Sequence, residues 1–179
     1  FLPSFIQTED PALMEALEAC GMEYYSPIWK ETFPIYDVMQ VTDPATLNGK
    51  FQGKALTAFR EFKAFECINL TAVSKAMFMG CTKLQSIELP STLQGIYAQA
   101  FKNCCMLDDV VIPAGVNFID TEAFAGCSQL KSITFLSSIP AYSLGNDVFS
   151  GMPEDYVLYV PDAAIEDYKE LWSKYADHI

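Results

Sequence analysis

Three stretches of this chain alternate apolar and polar side chains in the same way: LQSIEL at 84–89, LDDVVI at 107–112 and LKSITF at 130–135. A period of two sends successive side chains to opposite faces of an extended strand. Each stretch is therefore predicted to be a short strand, with Ile87 and Leu89, Val110 and Ile112, or Ile133 and Phe135 facing inward. The outward positions are Ser86 and Glu88, Asp109 and Val111, then Ser132 and Thr134, and a fourth segment, YVLYVP, adds Val157 and Tyr159. Pro90 and Pro113 close the first two strands, where a ladder N–H is no longer needed.

The strands belong to a longer repeat. Phe78, Phe101, Phe124 and Phe149 stand 23, 23 and 25 residues apart, and Leu84, Leu107 and Leu130 keep the same step. A fixed period in this range predicts a solenoid in which each coil covers its neighbour. Ile96, Ile119 and Leu144 head a second apolar segment that runs into Ala100, Ala123 and Val148, so a second narrow sheet is expected. The repeated Phe is expected to insert between coils as a column of rings, each burying on the order of 150–250 Å². Two residues after it come Gly80, Gly126 and Gly151, with Asn103 in the same place. Gly and Asn tolerate a left-handed backbone, so one positive-φ turn per coil is predicted there.

The ends of the chain depart from the repeat. Residues 1–50 read as a non-repetitive, partly helical N-terminal cap: Asp10 and Pro11 start a helix over 10–20, Leu13, Met14 and Leu17 give it a stripe, and Gly21 stops it. From 22 to 41 the chain is aromatic and proline-punctuated, which suits a second short helix or loops against the first coil. Asp43-Pro44 and Asn48-Gly49 mark the junction to the solenoid at 51–179. Leu56, Phe59, Phe62 and Phe65 have helical or helix-turn spacing, and 65–78 reads as a short coil of 13 residues that keeps Cys67 and Leu70. After Pro161 a C-terminal capping helix is predicted over about 162–176, with Ala164, Ile165, Tyr168, Leu171 and Trp172 on one face. Cap and solenoid are expected to form one compact, monomeric body.

Composition narrows the possible roles. Hydrophobic residues at 51% and charged residues at 19% are globular values. No run reaches the roughly 18–20 apolar residues of a membrane span. The chain begins at Phe1 with no signal segment in view, as expected of a trimmed mature form. A net charge of −12 repels phosphate backbones, so nucleic acid and anionic membrane surfaces are poor partners.

The six cysteines raise the question of disulfides. Cys67, Cys81, Cys104 and Cys127 each precede a repeat Leu by three residues, so they share one slot and point the same way. Stacked thiols of that kind are read as small buried hydrophobes rather than bridges. Cys20 and Cys105 fall outside the slot and stay undecided. No CxxC pair exists and His178 is the one histidine, so no metal or cofactor site is expected.

Phe-x-Gly-Cys-x-x-Leu-x-x-Ile-x-Leu-Pro, followed by Ile and then Ala-Phe, resembles the BspA-like leucine-rich repeats of bacterial surface proteins over about 56–179. FREFKAF at 59–65 is similar to a first coil of that family, and LYVPDAAIEDYKELWSKYADHI at 158–179 to its closing strand and helix. The resemblance implies an α/β solenoid, a right-handed leucine-rich-repeat superhelix of short strands, in an exported or surface-anchored protein that serves attachment or recognition. Calcium is not carried over, because the run of Asp, Asn and Gly that related chains place near the N-terminus is absent from 22–41.

No enzymatic constellation stands beside this reading. GxSxG, Walker A, HExxH and GxGxxG are missing, His178 is terminal, and Asp108 and Asp109 point to opposite faces of a strand. The expected function is a non-catalytic module that binds a protein or glycan through the outward stripe Ser86, Glu88, Asp109, Val111, Ser132, Thr134, Val157 and Tyr159. The alternative is a structural spacer without a specific ligand.

Overall fold

A residue that faces inward in one coil must meet its equivalent in the next, and parallel pairing of the strands brings this about. The computed structural model describes residues 71–179 except 74 in full, and the backbone pairing of residues 6–7, 24–25, 38–40 and 61–63. The strands are β1 (Ile6–Gln7), β2 (Tyr24–Tyr25), β3 (Val38–Gln40), β4 (Glu61–Lys63), β5 (Ala72–Val73), β6 (Ser86–Glu88), β7 (Gly95–Ile96), β8 (Asp109–Ile112), β9 (Phe118–Ile119), β10 (Ser132–Phe135), β11 (Ser143–Leu144) and β12 (Val157–Tyr159). From β3 onward they form a solenoid of parallel strands, whereas β1, parallel to β2, joins β3 in antiparallel pairing. In the principal ladder β4 pairs with β6, and β8, β10 and β12 follow as a second hydrogen-bonded group. The N–H of Asp108 donates to the carbonyl of Gln85 at 3.3 Å and joins the two groups.

The expected second sheet is present as β5, β7, β9 and β11, in parallel register. Gly95 of β7 stands opposite Phe118, whose ring occupies the space that any Cβ at 95 would need. A third ladder, which the apolar pattern does not announce, runs through the turns. The N–H groups of Phe78, Phe101 and Phe124 donate to the carbonyls of Ala100, Ala123 and Val148, at 2.8, 2.8 and 3.0 Å. Gly80, Asn103 and Gly126 donate likewise to Lys102, Ala125 and Ser150.

The predicted left-handed turn is occupied by Gly80, Asn103, Gly126 and Gly151, with φ of 77°, 63°, 75° and 72°. A second left-handed column lies four residues earlier, at Ala76, Gln99, Glu122 and Asp147. No residue there is Gly or Asn. The inter-coil hydrogen bonds from Ala76, Gln99 and Glu122 hold the unfavourable backbone in place.

Phe78, Phe101, Phe124 and Phe149 stack as expected, with centroids 5.3, 5.1 and 6.4 Å apart. From each Phe to the inward strand residue (Ile87, Val110, Ile133 and Leu158) is nine residues, and from Val73, Ile96, Ile119 and Leu144 to the next Phe is five. Only the corner between the two sheets changes length. From the start of the first strand to the start of the second is 11 residues for β4 to β5 and β10 to β11, but nine for β6 to β7 and β8 to β9.

Several expectations are corrected. The 65–78 stretch is not a short coil: β4 aligns with β6 at an offset of 25 residues and β5 with β7 at 23, which makes the coil full length. The expected place of Cys67 in the cysteine slot lies outside the described residues, within which the slot is occupied by Cys81, Cys104 and Cys127. The helical spacing through Phe59 and Phe65 conceals a strand, in which Phe62 pairs with Ile87. In the 22–41 region, where helix or loop was expected, β2 and β3 extend the ladder through β1 and β4. The predicted helix at 10–20 lies outside the described residues.

The C-terminal cap is shorter than the predicted helix. A 3-10 turn at Asp162–Ala164 leads into α1 (Ile165–Leu171), and a second 3-10 segment covers Ser173–His178. Ala164, Tyr168 and Trp172 are buried, whereas Leu171, expected on the same face, is 53% exposed. Leu171 lies one i+3 step from Tyr168 on the same side of the helix, but at the margin of the buried stripe. Among the described residues, no helix is long and apolar enough to cross a membrane.

Candidate functional site

The strands assemble the predicted outward residues into rows. Asp109, Ser132 and Val157 are in register across β8, β10 and β12, and so are Val111, Thr134 and Tyr159. Ser132 Oγ donates to Asp109 Oδ1 at 2.9 Å, which fixes the first row. Ser86 and Glu88 are exposed on β6, in register with Glu61 and Lys63 of β4 rather than within the β8–β12 group. The eight residues thus share one face but not one unbroken ladder. Val111 (47%), Val157 (37%) and Tyr159 (55%) make part of this face apolar.

Beneath the surface, the cysteine slot has a second role. Each Phe carbonyl accepts from the backbone N–H three residues on, as Phe101 does from Cys104 at 3.1 Å, and its second lone pair remains. The thiol of the next coil reaches it: Cys104 Sγ lies 3.1 Å from the carbonyl of Phe78, and Cys127 Sγ lies 3.1 Å from that of Phe101. The sequence reading of small hydrophobes captures their size but not this donation. Burial pushes the Cys127 thiol up to about 12 and raises that of Cys104 well above its usual range. Such thiols stay protonated, and the thiolate needed for nucleophilic attack or metal binding is disfavoured. Cys81, Cys104, Cys105 and Cys127 form no disulfides.

Two results are expected of the slot. At pH 8, peptide mapping after iodoacetamide treatment should find the half-buried Cys105 alkylated and Cys104 and Cys127 intact until urea is added. Equal modification of all three would contradict the burial. A thiol whose pKa is raised in the folded state stabilises the fold fully below its unfolded pKa, near 8.5. That contribution is lost as pH climbs toward about 12, so the urea midpoint should fall through this window, less steeply for Cys127→Ala.

A further polar cluster joins adjacent coils. Lys102 Nζ and Gln99 Nε2 each lie 2.7 Å from a Glu122 carboxylate oxygen, and these hydrogen bonds, Lys102 first, lower the Glu122 pKa. They tie together the left-handed positions 99 and 122. The tail folds back on the last coil: His178 stacks on Tyr156 at 3.8 Å, its Nδ1 lying 3.0 Å from the Tyr156 carbonyl.

Leu136, Ile139 and Tyr142 were not singled out by sequence, and Leu171 was expected on the buried face of the capping helix. Leu136 (55%), Ile139 (74%) and Tyr142 (73%) are exposed on the loop after β10, and Leu171 stands exposed on α1. The signal that could have marked them was the 25-residue spacing of that coil, two more than its neighbours.

A family profile described as the BspA type leucine rich repeat region matches residues 51–163 in six copies. The chain belongs to the BspA-type leucine-rich repeat family. Among solved structures, this BspA-type chain is similar to a leucine-rich repeat protein from Bacteroides ovatus, with a TM-score of 0.51 and 19% identity over 74% of this chain and 39% of the other. It is also similar to the pneumococcal vaccine antigen PcpA, with a TM-score of 0.53 and 18% identity over 76% of this chain and 40% of that one. These likenesses concern the fold. The chain spans about two fifths of the length of each, 39% and 40%. No curated protein matches it.

Proposed function

We propose that this BspA-type chain is a non-catalytic recognition module, exported to a bacterial surface, that holds a protein or glycan partner on the outward face of β8, β10 and β12. The observation that carries the proposal is the apolar part of that face: Val111, Val157 and Tyr159 are exposed on adjacent rows of a rigid ladder. Apolar side chains gathered on one face within a polar rim are the arrangement of a binding surface. Asp109, Ser132 and Thr134 supply that rim. The similarity in fold to a pneumococcal vaccine antigen supports a place at the cell surface.

The test is a glycan array and a crosslinking pull-down from intact cells, run with the folded chain and with Tyr159→Ser and Val111→Ser. Specific partners whose binding falls about tenfold or more in either variant are expected, since a few anchors carry most of an interface. Partners retained undiminished by both variants would remove the strand face from the reading. Capture of nothing above background would favour the spacer.

A further inference from the structure

The corner between β10 and β11 carries a second surface, separate from the strand face. Its loop is pinned at both ends. Tyr168 donates its hydroxyl to the carbonyl of Ser137 at 3.0 Å, and Trp172 Nε1 donates to that of Ala141 at 3.2 Å. Inside the loop, the N–H of Ile139 bonds to Ser137 Oγ at 3.1 Å. Between the pins, Ser138, Ile139 and Pro140 face Asp167, Glu170 and Leu171 of α1 across a groove of about 530 Å³. Ile139 and Leu171 are 74% and 53% exposed, although the fold around them is fixed.

We propose that this groove seats a segment of a partner protein in which a large apolar side chain is flanked by lysine or arginine. The site is an open groove rather than an enclosed cavity, which suits a side chain of an extended segment laid along it more than a small molecule. The walls are aliphatic, with Ile139, Pro140 and Leu171 offering no aromatic ring on which a sugar could stack. Asp167 and Glu170 border these apolar walls, and neither forms an ion pair among the described residues. A cationic flank would meet both carboxylates, and the chain's net charge of −12 would draw such a segment in. A second copy of this chain is a poor occupant. A two-fold contact would set Asp167 and Glu170 against their own equivalents. Because hydrogen bonds from Tyr168 and Trp172 already hold the loop to the cap at both ends, docking requires little ordering of the groove.

Fluorescence anisotropy with the full chain tests this, using a labelled peptide with a central Leu-Phe pair flanked by lysines. One control replaces the lysines with glutamates and the other replaces the apolar pair with serines. The lysine peptide should bind about tenfold or more tightly than either control, and more weakly as salt is raised. Ile139→Ser, Leu171→Ser and Glu170→Lys should each weaken it by about tenfold while the melting temperature holds, because all three positions are exposed. Amide shifts on binding should cluster at 138–139 and 167–171. Equal binding of the glutamate peptide, wild-type affinity in the groove variants, or shifts confined to β8–β12 would each overturn the proposal. A dimer in sedimentation that Leu171→Ser abolishes would overturn it too, by giving the groove to another copy. The strand-face reading has its own variants, Tyr159→Ser and Val111→Ser, so the two can fail separately.

Discussion

Phe124→Ala should destabilise the solenoid by about 3–5 kcal/mol, the usual cost of truncating a buried aromatic. Phe124 is fully buried, with its ring stacked 5.1 Å from that of Phe101 and 6.4 Å from that of Phe149. The neighbouring rings cannot close the gap. Their backbones are held by the turn ladder, in which Phe101 donates to Ala123 and Phe124 to Val148. In a repeat protein the loss also weakens the interface between adjacent coils, so cooperativity should suffer with stability. Urea unfolding followed in parallel by far-ultraviolet circular dichroism and tryptophan fluorescence, with Trp29→Phe introduced so that the signal reports on Trp172 in the C-terminal cap, should give separated midpoints in the variant. A loss below about 1 kcal/mol would mean that the column is not the core element described here.

Trp172→Ala should cost a comparable 3–5 kcal/mol or so, by a different route. Trp172 packs edge-on against Phe135 at 5.0 Å and Tyr168 at 4.9 Å, and its indole N–H satisfies the carbonyl of Ala141. Removal opens a cavity over the last coil and leaves a buried acceptor without its donor. The end of the array then lies open. Earlier melting and association visible by light scattering are expected together, because an uncovered solenoid end exposes apolar side chains. Trp172→Phe, which keeps most of the ring and loses the hydrogen bond, should cost roughly 1–2 kcal/mol and remain monodisperse. Wild-type melting and scattering in Trp172→Ala would refute the capping role.

Inward strand residues, the Phe column and the Gly or Asn turn were legible in sequence because each imposes a residue type at a fixed step. Asn103 in place of glycine was informative for that reason, and its φ of 63° matches. The second left-handed column was not legible. Ala76, Gln99 and Glu122 have no intrinsic preference for that backbone, which is imposed by hydrogen bonds from the neighbouring coil. The first coil was misjudged because Leu56, Phe59, Phe62 and Phe65 imitate a helical period, and only pairing of Phe62 with Ile87 reveals the strand. Of the candidate site, alternation identified the outward face but said nothing of how far Val111, Val157 and Tyr159 stand from water's reach. Exposure of Ile139 and Leu171 depends on how the loop and α1 meet, which no local pattern encodes.

The invariance of the nine-residue and five-residue steps around each coil has an evolutionary consequence. A residue gained or lost along either step would rotate the Phe, the thiol or the left-handed turn out of its column, and the coil above would lose contact with the coil below. At the corner between the two sheets, length already differs between coils, 11 residues in two of them and nine in the others, with every column intact. Diversification is therefore channelled to one edge. Foreign loops grafted between β6 and β7 or between β8 and β9 should be accepted there, and new specificities in this lineage have that edge along which to arise.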